Sequence, residues 1–300
     1  MPGAVYGAVT QFGLAAGGAG APSKKYNFKD CNLVATEKIE DMNGLRGTLS
    51  RSVESTRPGV YHVAGTIDLN PTALELADFL PWMLGTNVSG TTYALANLLQ
   101  TRDVTMDRSN SLFGLSDGKV FTYPNCAIDK WTLKAAEGGI PLDLSLDVVG
   151  TTETVGNNGT FPTLTLDTAS KPFLFTDLAF TISGTAYSLK DFEATCSWHI
   201  DRERFYNSTT LIGTYAMDRS ITVKFHCPWA GLEAIYNTGS GGLPMVATFT
   251  QGGHVLTMTF ASVVFPKMTP VGRGRAEALF PVEGAAMRTG ATLELVTVLT

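Results

Sequence analysis

His226 and Cys227 are adjacent residues whose side chains could bind a metal ion. Imidazole nitrogen and thiolate sulfur are common protein ligands of zinc. The pair lies in the run SITVKFHC, where polar and apolar residues alternate as in a half-buried β-strand. Because successive strand residues point to opposite faces, the two side chains cannot share one ion. We therefore predict that Cys227 lies in the core, that His226 lies at a surface or interface, and that neither binds a metal.

Other residues could also carry chemistry. Asp143 and Asp147 share one face of a predicted strand, but four residues of strand separate them by about 13 Å, too far for a carboxylate pair. Arg273 and Arg275 in GRGRAE could form an anion-binding nest, although a glycine-rich hairpin tip with solvated arginines explains them better. The sequence contains no HExxH, nucleophile-elbow or P-loop motif. We predict neither an enzyme nor a cofactor.

Composition narrows the class of protein. The chain has 300 residues, 44% of them hydrophobic and 16% charged, which fits a folded protein with a sizeable core. Its net charge of −5 argues against a surface that grips nucleic-acid phosphates. No apolar run is long enough to span a membrane, and the N-terminus does not resemble a signal peptide. We expect a soluble protein from a reducing compartment, with its four scattered cysteines kept as buried thiols.

Alternating runs such as IPLDLSLDVVG and FEATCSWHID predict half-buried antiparallel strands. Two short helices are expected, each opened by a proline. In the first, Asn70 is the expected N-cap, Thr72 and Glu75 have capping-box spacing, and Pro81 ends the helix. The second follows Pro228.

The order of elements occurs twice along the chain. Each half contains a strand region, a polar stretch, a strand leading to proline and a short helix, and strands around an Ala/Gly-rich turn. We therefore expect a mainly β chain with a duplicated antiparallel β-sandwich or barrel-like domain, each copy carrying a short α-helix. The predicted boundaries are a flexible N-terminal arm at 1–27, a first domain at 28–150, a linker or long loop at 151–172, and a second domain at 173–300.

The polar stretches LRGTLSRSVESTRPG and RERFYNSTT have little core potential and would be long exposed loops in a monomer. In an assembly they could become ordered against other subunits. The candidate inter-ring or inter-subunit residues in them are Arg46, Arg51, Glu54, Arg57, Arg202, Glu203 and Arg204.

The chain resembles the tail tube (major tail) proteins of long-tailed bacteriophages. The resemblance rests on the strand–helix–strand order, on GVYHVAGTIDLNPTALELADFLPWMLGT, and on YPNCAIDKWTLKAAEGGIPLDLSLDVVGTTET, and it covers most of residues 28–300. It implies a structural virion protein without catalytic activity, made in the host cytoplasm. Copies would form stacked rings around a lumen, and a duplicated domain favours trimeric rings with pseudo-sixfold symmetry over hexameric rings.

The same resemblance implies partners. These are further copies of the chain, the tape measure, terminator and baseplate proteins, and DNA in transient, non-specific passage, without a membrane. A conduit should repel phosphate, so Asp143, Asp147, Glu277 and Glu283 are the candidate lumen-facing residues. Two alternatives remain: a tail terminator or baseplate ring protein of the same fold, and a carbohydrate-binding β-sandwich with exposed tryptophans. Core packing explains Trp82, Trp131, Trp198 and Trp229 better than sugar stacking.

Overall fold

A computed structural model describes residues 10–15, 19–41, 56–108, 119–157, 166, 168–228, 233–267 and 279–300. We call residues 10–157 the first half and residues 168–300 the second half. The elements of the first half are β1 (Gln11–Leu14), β2 (Lys24–Tyr26), β3 (Asp30–Cys31), β4 (Val34–Asp41), β5 (Thr56–Leu69), α1 (Ala73–Leu84), β6 (Gly85–Ser89), β7 (Thr92–Leu95), β8 (Arg102–Asp107), β9 (Lys119–Ala136), β10 (Asp143–Gly150) and β11 (Thr154–Asn157). Those of the second half are β12 (Leu178–Ile182), β13 (Thr185–Ala186), β14 (Asp191–Ser197), β15 (Ser220–Pro228), α2 (Glu233–Thr238), β16 (Leu243–Gln251), β17 (His254–Val264), β18 (Leu279–Met287) and β19 (Leu295–Leu299). The predicted mainly β, antiparallel fold with short helices is confirmed.

One sheet runs through both halves, in the order β3/β4, β5, β10, β9, β14, β15, β18 and the end of β17. We call it the long sheet. A first cover sheet contains β2, β1, β8, the start of β9, and β11. A second cover sheet contains β13, β12, β16, β17, β19, β7 and β6. The cover sheets pack on one face of the long sheet, which gives the sandwich-like architecture that the alternation predicts.

The core lies between these layers because strand alternation directs apolar side chains to one face of the long sheet. In β14 and β15 every second residue is buried. In the second half, Phe180 of the cover sheet packs 5.0 Å from Phe225 and 5.9 Å from Phe192 of the long sheet, measured between ring centroids. In the first half, the Tyr123 hydroxyl donates to the Leu33 carbonyl across the layers at 3.1 Å. The buried residues of both halves form one hydrophobic cluster.

The strand pairings of the first half recur in the second half with the same register. In the β8–β9 pair, Arg102 opposes Cys126 and Val104 opposes Tyr123, with a bulge between them. In the β16–β17 pair, Leu243 opposes Val263 and Met245 opposes Phe260, again with a bulge between them. The pairings that recur in this way are β1–β2 with β12–β13, β1–β8 with β12–β16, β3/β4–β5 with β14–β15, β5–β10 with β15–β18, β9–β10 with β17–β18, and β9–β11 with β17–β19.

This recurrence includes segments that the sequence assigns to connections. Residues 11–14 and 24–26, expected in a flexible arm, form β1 and β2, and Phe12 and Leu14 are fully buried. These two strands pack on their own chain, where the Phe12 ring contacts the rings of Tyr26 and Phe28. Residues 154–157, expected in the linker, form β11. Residues 158–165 and 167 of that linker lie outside the described residues.

Helix α1 differs from its prediction at both ends. Its N-cap is Thr72, which forms the predicted capping box with Glu75, and not Asn70. The Asn70 side-chain amide, directly after β5, instead donates to the Leu142 carbonyl at 2.9 Å. The helix does not end at Pro81 but continues to Leu84, where Gly85 (φ 89°) donates its N–H to the Pro81 carbonyl. A left-handed glycine at this position ends the helix and satisfies a carbonyl of its last turn.

Within the described residues, strand pairings and side-chain hydrogen bonds join the two halves. Strand β9 pairs with β14 in the long sheet, and β7 pairs with β19 in the second cover sheet. The buried indole of Trp198 donates to the Met83 carbonyl at 3.3 Å. Arg219 binds both carboxylate oxygens of Glu294 at 2.8 and 3.0 Å and also the Ala96 carbonyl at 2.9 Å. We call this set of contacts between the halves the internal seam.

Candidate functional site

The candidate site is the polar face of the long sheet, turned away from the cover sheets. Directly paired residues project to the same face of a sheet. The register therefore defines continuous rows across both halves. One row runs Asp30, Asp68, Ser145, Thr132, Thr195, Thr222.

A second row alternates in charge at every step, in the order Asp143, Lys134, Glu193, Lys224, Glu283. Lys29 begins it, with its Nζ 2.8 Å from the Asp143 carboxylate. At the far end, Lys224 lies 3.3 Å from Glu283. Opposite charges on neighbouring strands stabilise a sheet by a few tenths of a kcal/mol each, about 0.2–1 per pair. The alternation in each strand was visible in the sequence, but this row was not, because it depends on the pairing register.

Acidic groups outnumber lysines on the polar face. The strand carboxylates on it are Asp30, Asp68, Asp143, Asp147, Asp191, Glu193 and Glu283, and the strand lysines are Lys130, Lys134 and Lys224. The structure thus brings three predicted lumen-facing residues, Asp143, Asp147 and Glu283, onto one surface. The fourth, Glu277, lies outside the described residues.

Asp147 is half-buried on this face, near Lys130, Arg202, Asp129 and Asp68. Burial raises the pKa of its carboxyl, opposed by Lys130 and Arg202, and Asp129 and Asp68 raise it further. An open groove beside it is lined by Asn32, Val34, Ala64, Gly65, Thr66, Asp147 and Arg202. Among the described residues, no group of three His, Cys, Asp or Glu side chains is arranged to hold a metal ion.

Two of the candidate inter-subunit residues, Arg202 and Arg204, contact their own chain. Arg202 pairs with the Asp129 carboxylate, and Asp129 also accepts the Ile200 N–H at 2.7 Å. The Arg204 guanidinium lies over the rings of Tyr215 and Tyr206, at 4.1 and 5.3 Å from the centroids. Both arginines are thus held by their own chain. Asp129, which anchors the loop, was missed because nothing in the sequence separates it from other strand carboxylates.

Of the remaining loop candidates, Glu203 donates its N–H to the Asp201 carboxylate at 3.0 Å. Arg57 is exposed on β5, opposite Glu40. Arg46, Arg51 and Glu54 lie outside the described residues.

The long sheet has an available edge at β3 and β4. Within the described residues these strands pair only with β5. The equivalent strand of the second half is β14, whose corresponding edge pairs with β9 across the internal seam. Just past β14, Trp198 donates its backbone N–H to the Asp129 carbonyl at 2.7 Å. The residue of the first half equivalent to Trp198 is the exposed Glu37.

His226 and Cys227 point to opposite faces, as predicted. His226 lies on the polar face with its Nδ1 2.8 Å from both oxygens of the Asp191 carboxylate. Cys227 is 1% exposed, and burial, with Asp191 nearby, raises the pKa of its thiol to about 12. Burial likewise raises the pKa of Cys196 to about 12 and moves that of Cys126 upward. A thiol with such a raised pKa is protonated at neutral pH.

Trp82, Trp131 and Trp198 are buried, with 1% exposure or less, so the prediction that they serve core packing is confirmed. The Trp82 indole donates to the Cys126 carbonyl at 3.0 Å. They offer no exposed ring for stacking on sugars, and Trp229 lies outside the described residues.

Comparison with known proteins identifies the family. The model of the phage tail tube protein family matches residues 4–295, nearly the whole chain. The chain belongs to the phage tail tube protein family. No curated protein matches it. Membership implies a structural, non-enzymatic component of the virion that assembles with copies of itself and other tail proteins into a tube. No helix among the described residues is long and apolar enough to cross a membrane.

Proposed function

We propose that this tail tube protein forms trimeric rings in which each chain contributes two tube domains. The observation that carries the proposal is the recurrent register of the two halves: each brings four strands (β3/β4, β5, β10 and β9, or β14, β15, β18 and β17) in the same order and pairing. The internal seam then represents one junction of the ring. The same type of junction repeats between chains.

The register also supports closure of the ring. The row of directly paired residues that starts at Thr66 passes through Asp147 and Lys130 and reaches Ser220 on β15. The residue of β15 that is equivalent to Thr66 is Lys224, which lies four positions further along that strand. Each domain thus adds four strands and a stagger of four residues. Three chains would give about 24 strands tilted by about 35°, with a backbone radius of about 22 Å. This tilt lies at the lower end of the range seen in closed barrels, about 35–45°.

We place the polar face of the long sheet on the lumen. Its excess of carboxylates would repel DNA phosphates and keep passage free of strong contacts. The cover sheets and helices then form the outer wall. Stacked rings would make the conduit through which DNA is ejected into the host, with the tape measure, terminator and baseplate proteins as partners and the host cytoplasm as the place of synthesis.

At the junction between chains, the edge of β3 and β4 would pair with the second half of the neighbouring chain. The internal seam supplies the geometry: Glu37 takes the place of Trp198, and Pro266 takes the place of Asp129. The Glu37 N–H would then donate to the Pro266 carbonyl of the next chain. Closing the edge in this way also removes the hazard of an unpaired strand.

Negative-stain microscopy and light scattering of the purified protein test the ring. We expect trimers and stacked tubes with pseudo-sixfold end views. Glu37→Pro removes the donor and should leave monomers, whereas Glu37→Ala, which keeps the N–H, should still assemble. Trimers of Glu37→Pro would rule out this junction between chains. Single rings that never stack would favour the terminator or baseplate alternative.

Cysteine labelling of assembled tubes tests the lumen. A thiol at Ser145→Cys on the polar face should react with a small maleimide but not with a bulky polyethylene-glycol maleimide. Val155→Cys, on β11 and 51% exposed, should react with both reagents. Equal reaction of Ser145→Cys with the bulky reagent would place the polar face on the outer wall.

A further inference from the structure

The outer edge of strand β11 is open, whereas the equivalent edge of the second half is covered. Within the described residues, β11 pairs with β9 and with no other strand. Its equivalent, β19, pairs with β17 on one side and with β7 on the other. Val155 opposes Phe121 on β9, as Thr297 opposes Met258 on β17, so Val155 and Thr297 are equivalent. Val155 is 51% exposed and Thr297 is 1% exposed, because only Thr297 lies beneath a further strand.

The covering strand β7 has no counterpart in the second half. The first half runs from α1 through β6 and β7 before it reaches β8, and β7 crosses the internal seam onto β19. The second half passes from α2 to β16 through residues 239–242 alone, and every residue of this passage is described. At a junction between chains the places of β6 and β7 would therefore stay empty. Two strand spacings leave a gap of about 10 Å beside β11.

The backbone of β11 is oriented to pair with a strand in that gap. The Arg108 N–H donates to the Lys119 carbonyl at 3.1 Å, so Lys119 faces β8. Because backbone groups alternate in direction along a strand, the next residue, Val120, faces β11 and bonds to Gly156 opposite it. By the same alternation, the N–H and the carbonyl of Val155 point away from β9. Strand β11 has no charged residue, proline or bulge that would blunt such an edge.

The side chains beside the open edge indicate which kind of strand fits it. In the second half, one buried row of directly paired residues crosses the cover sheet and ends on β7, in the order Phe180, Ala247, Met258, Thr297, Tyr93. The equivalent row of the first half ends at the exposed edge, in the order Phe12, Met106, Phe121, Val155. The member that this row lacks is an aromatic residue opposite Val155, in the place that Tyr93 takes opposite Thr297.

We propose that the open edge of β11 is a docking site for an extended strand of a second virion protein. This strand pairs antiparallel with β11, as β7 does with β19, and places an aromatic side chain opposite Val155. Main-chain hydrogen bonds supply the affinity of such strand addition, and alternate side chains supply its specificity. Every β7 is already paired with β19 of its own chain, so no copy of that strand is left to fill the site.

The number and position of the sites rest on the trimeric ring proposed above, whereas the edge itself belongs to the single chain. Strand β7 covers the equivalent edge of each second half, so a ring would offer three sites and not six. The sites would lie on the outer wall, between chains. A partner bound there would follow the threefold symmetry of the ring and not its pseudo-sixfold wall.

A fluorescein-labelled peptide of residues 90–97 (GTTYALAN), which contains β7, is the probe for the edge. We expect saturable binding to the purified protein by fluorescence anisotropy. Val155→Pro removes the outward N–H and should weaken binding about tenfold or more, whereas Val155→Ala keeps the N–H and should bind within about threefold of the parent. A peptide carrying Tyr93→Asp should also bind about tenfold more weakly.

The Val155→Pro variant should keep the circular dichroism spectrum of the parent, because proline is tolerated on an edge strand whose N–H faces solvent. Hydrogen–deuterium exchange of the parent protein gives a reading without a variant: the peptide should slow exchange in the segment that contains β11. Absence of binding to the parent, equal binding to Val155→Pro, or unchanged exchange at β11 would each overturn the docking site.

A disulfide cross-link tests the register. Thr154 is equivalent to Val296, which opposes Ala94, so Thr154→Cys should link to a peptide carrying Ala94→Cys. A peptide carrying Thr92→Cys, two residues out of register, and the parent protein, whose Cys31 is partly exposed, should link far less. Equal linking of the two peptides would refute the proposed pairing. Peptide binding by a protein that stays monomeric would support the edge and refute the ring, whereas tubes that bind no peptide would refute the docking site alone.

Discussion

The two halves of this tail tube protein share a strand register but differ at their margins. Both place apolar residues on one face of the long sheet and polar residues on the other. The first half adds the β6–β7 hairpin, which pairs with the second half, and its β4–β5 pairing continues past the equivalent end of β14 and β15. At that end of the second half, β14 is followed by a loop held by Asp129. The shared pairing pattern therefore tolerates divergence at the margins of the two halves.

Trp198→Ala should have the largest effect on this comparison. Trp198 is buried at the internal seam, where its indole binds Met83 and its ring stacks under Arg219. We expect a loss of about 3–5 kcal/mol in the free energy of unfolding from the cavity and the lost hydrogen bond. Its equivalent in the first half, Glu37, is exposed, so Glu37→Ala should change stability by less than about 0.5 kcal/mol. Urea denaturation measures both, and equal effects would contradict the asymmetry.

Gly65 and Gly284 lie on opposite strands of equivalent strand pairs, and their alanine variants should differ in what relieves the strain. Gly65 opposes Val148, while Gly284 opposes Val223. A Cβ at Gly65 would lie 2.6–2.8 Å from backbone atoms of Asn32 and Leu33, whereas at Gly284 it would meet the side chains of Phe265 and Val263. We expect each alanine variant to lose about 1–3 kcal/mol.

Shortening a neighbouring side chain should distinguish Gly284→Ala from Gly65→Ala. Val263→Ala should restore part of the stability of Gly284→Ala, because the obstruction there is a side chain. No side-chain substitution should rescue Gly65→Ala, because backbone atoms cannot be trimmed. Thermal denaturation of the single and double variants checks this, and rescue of Gly65→Ala by Val148→Ala would show that the close contact lies elsewhere.

The ion pair of the internal seam should matter more than an exposed one. Glu294→Gln weakens the contact with Arg219, in which both side chains are no more than 20% exposed. We expect a loss of about 1–2 kcal/mol. Lys24→Met removes the pair with Asp78, whose lysine is 58% exposed, and should cost less than about 1 kcal/mol. Denaturant midpoints that rank the two the other way would show that the seam does not depend on Arg219.

Asp147→Asn should have the smallest effect and the opposite sign. Burial raises the pKa of Asp147 in the folded protein, so the ionised carboxylate is disfavoured there. Stability from this group is present at low pH and is lost as pH rises from the unfolded pKa through the folded one. The asparagine variant should therefore melt slightly higher than the parent at pH 7, and the difference should vanish below about pH 4. A lower Tm at pH 7 would mean that Lys130 and Arg202 outweigh burial.

Much of the fold could be read from the chain because strand alternation is a local pattern. The runs around Leu144, Cys196 and Phe225 predicted strands with one buried face, and those strands are present. Thr72 and Glu75 predicted the capping box for the same reason. The N-terminal segment was misjudged because Phe12 and Leu14 are too few to reveal a strand, and their burial depends on β8, which lies about 90 residues later.

The candidate site was less predictable. Asp143, Asp147 and Glu283 could be placed on polar strand faces, but not on one surface, because that requires the register of β9 with β14 and of β15 with β18. The roles of the two polar loops were also beyond local pattern. Both are rich in charge and hydroxyl groups, and the anchor of the second loop, Asp129, lies on a strand distant in sequence.

The sequence by itself determined the face that each residue presents, since the two-residue period of a strand is set by backbone geometry. It also determined that the architecture repeats, because the order of strands and helices repeats. Only the tertiary structure decided which strands are neighbours, and thereby the alternating charge row from Asp143 to Glu283, the internal seam at Trp198, and the exposure of Ile39 on β4. Pairing between distant strands depends on the packing of the whole core, which no local pattern contains.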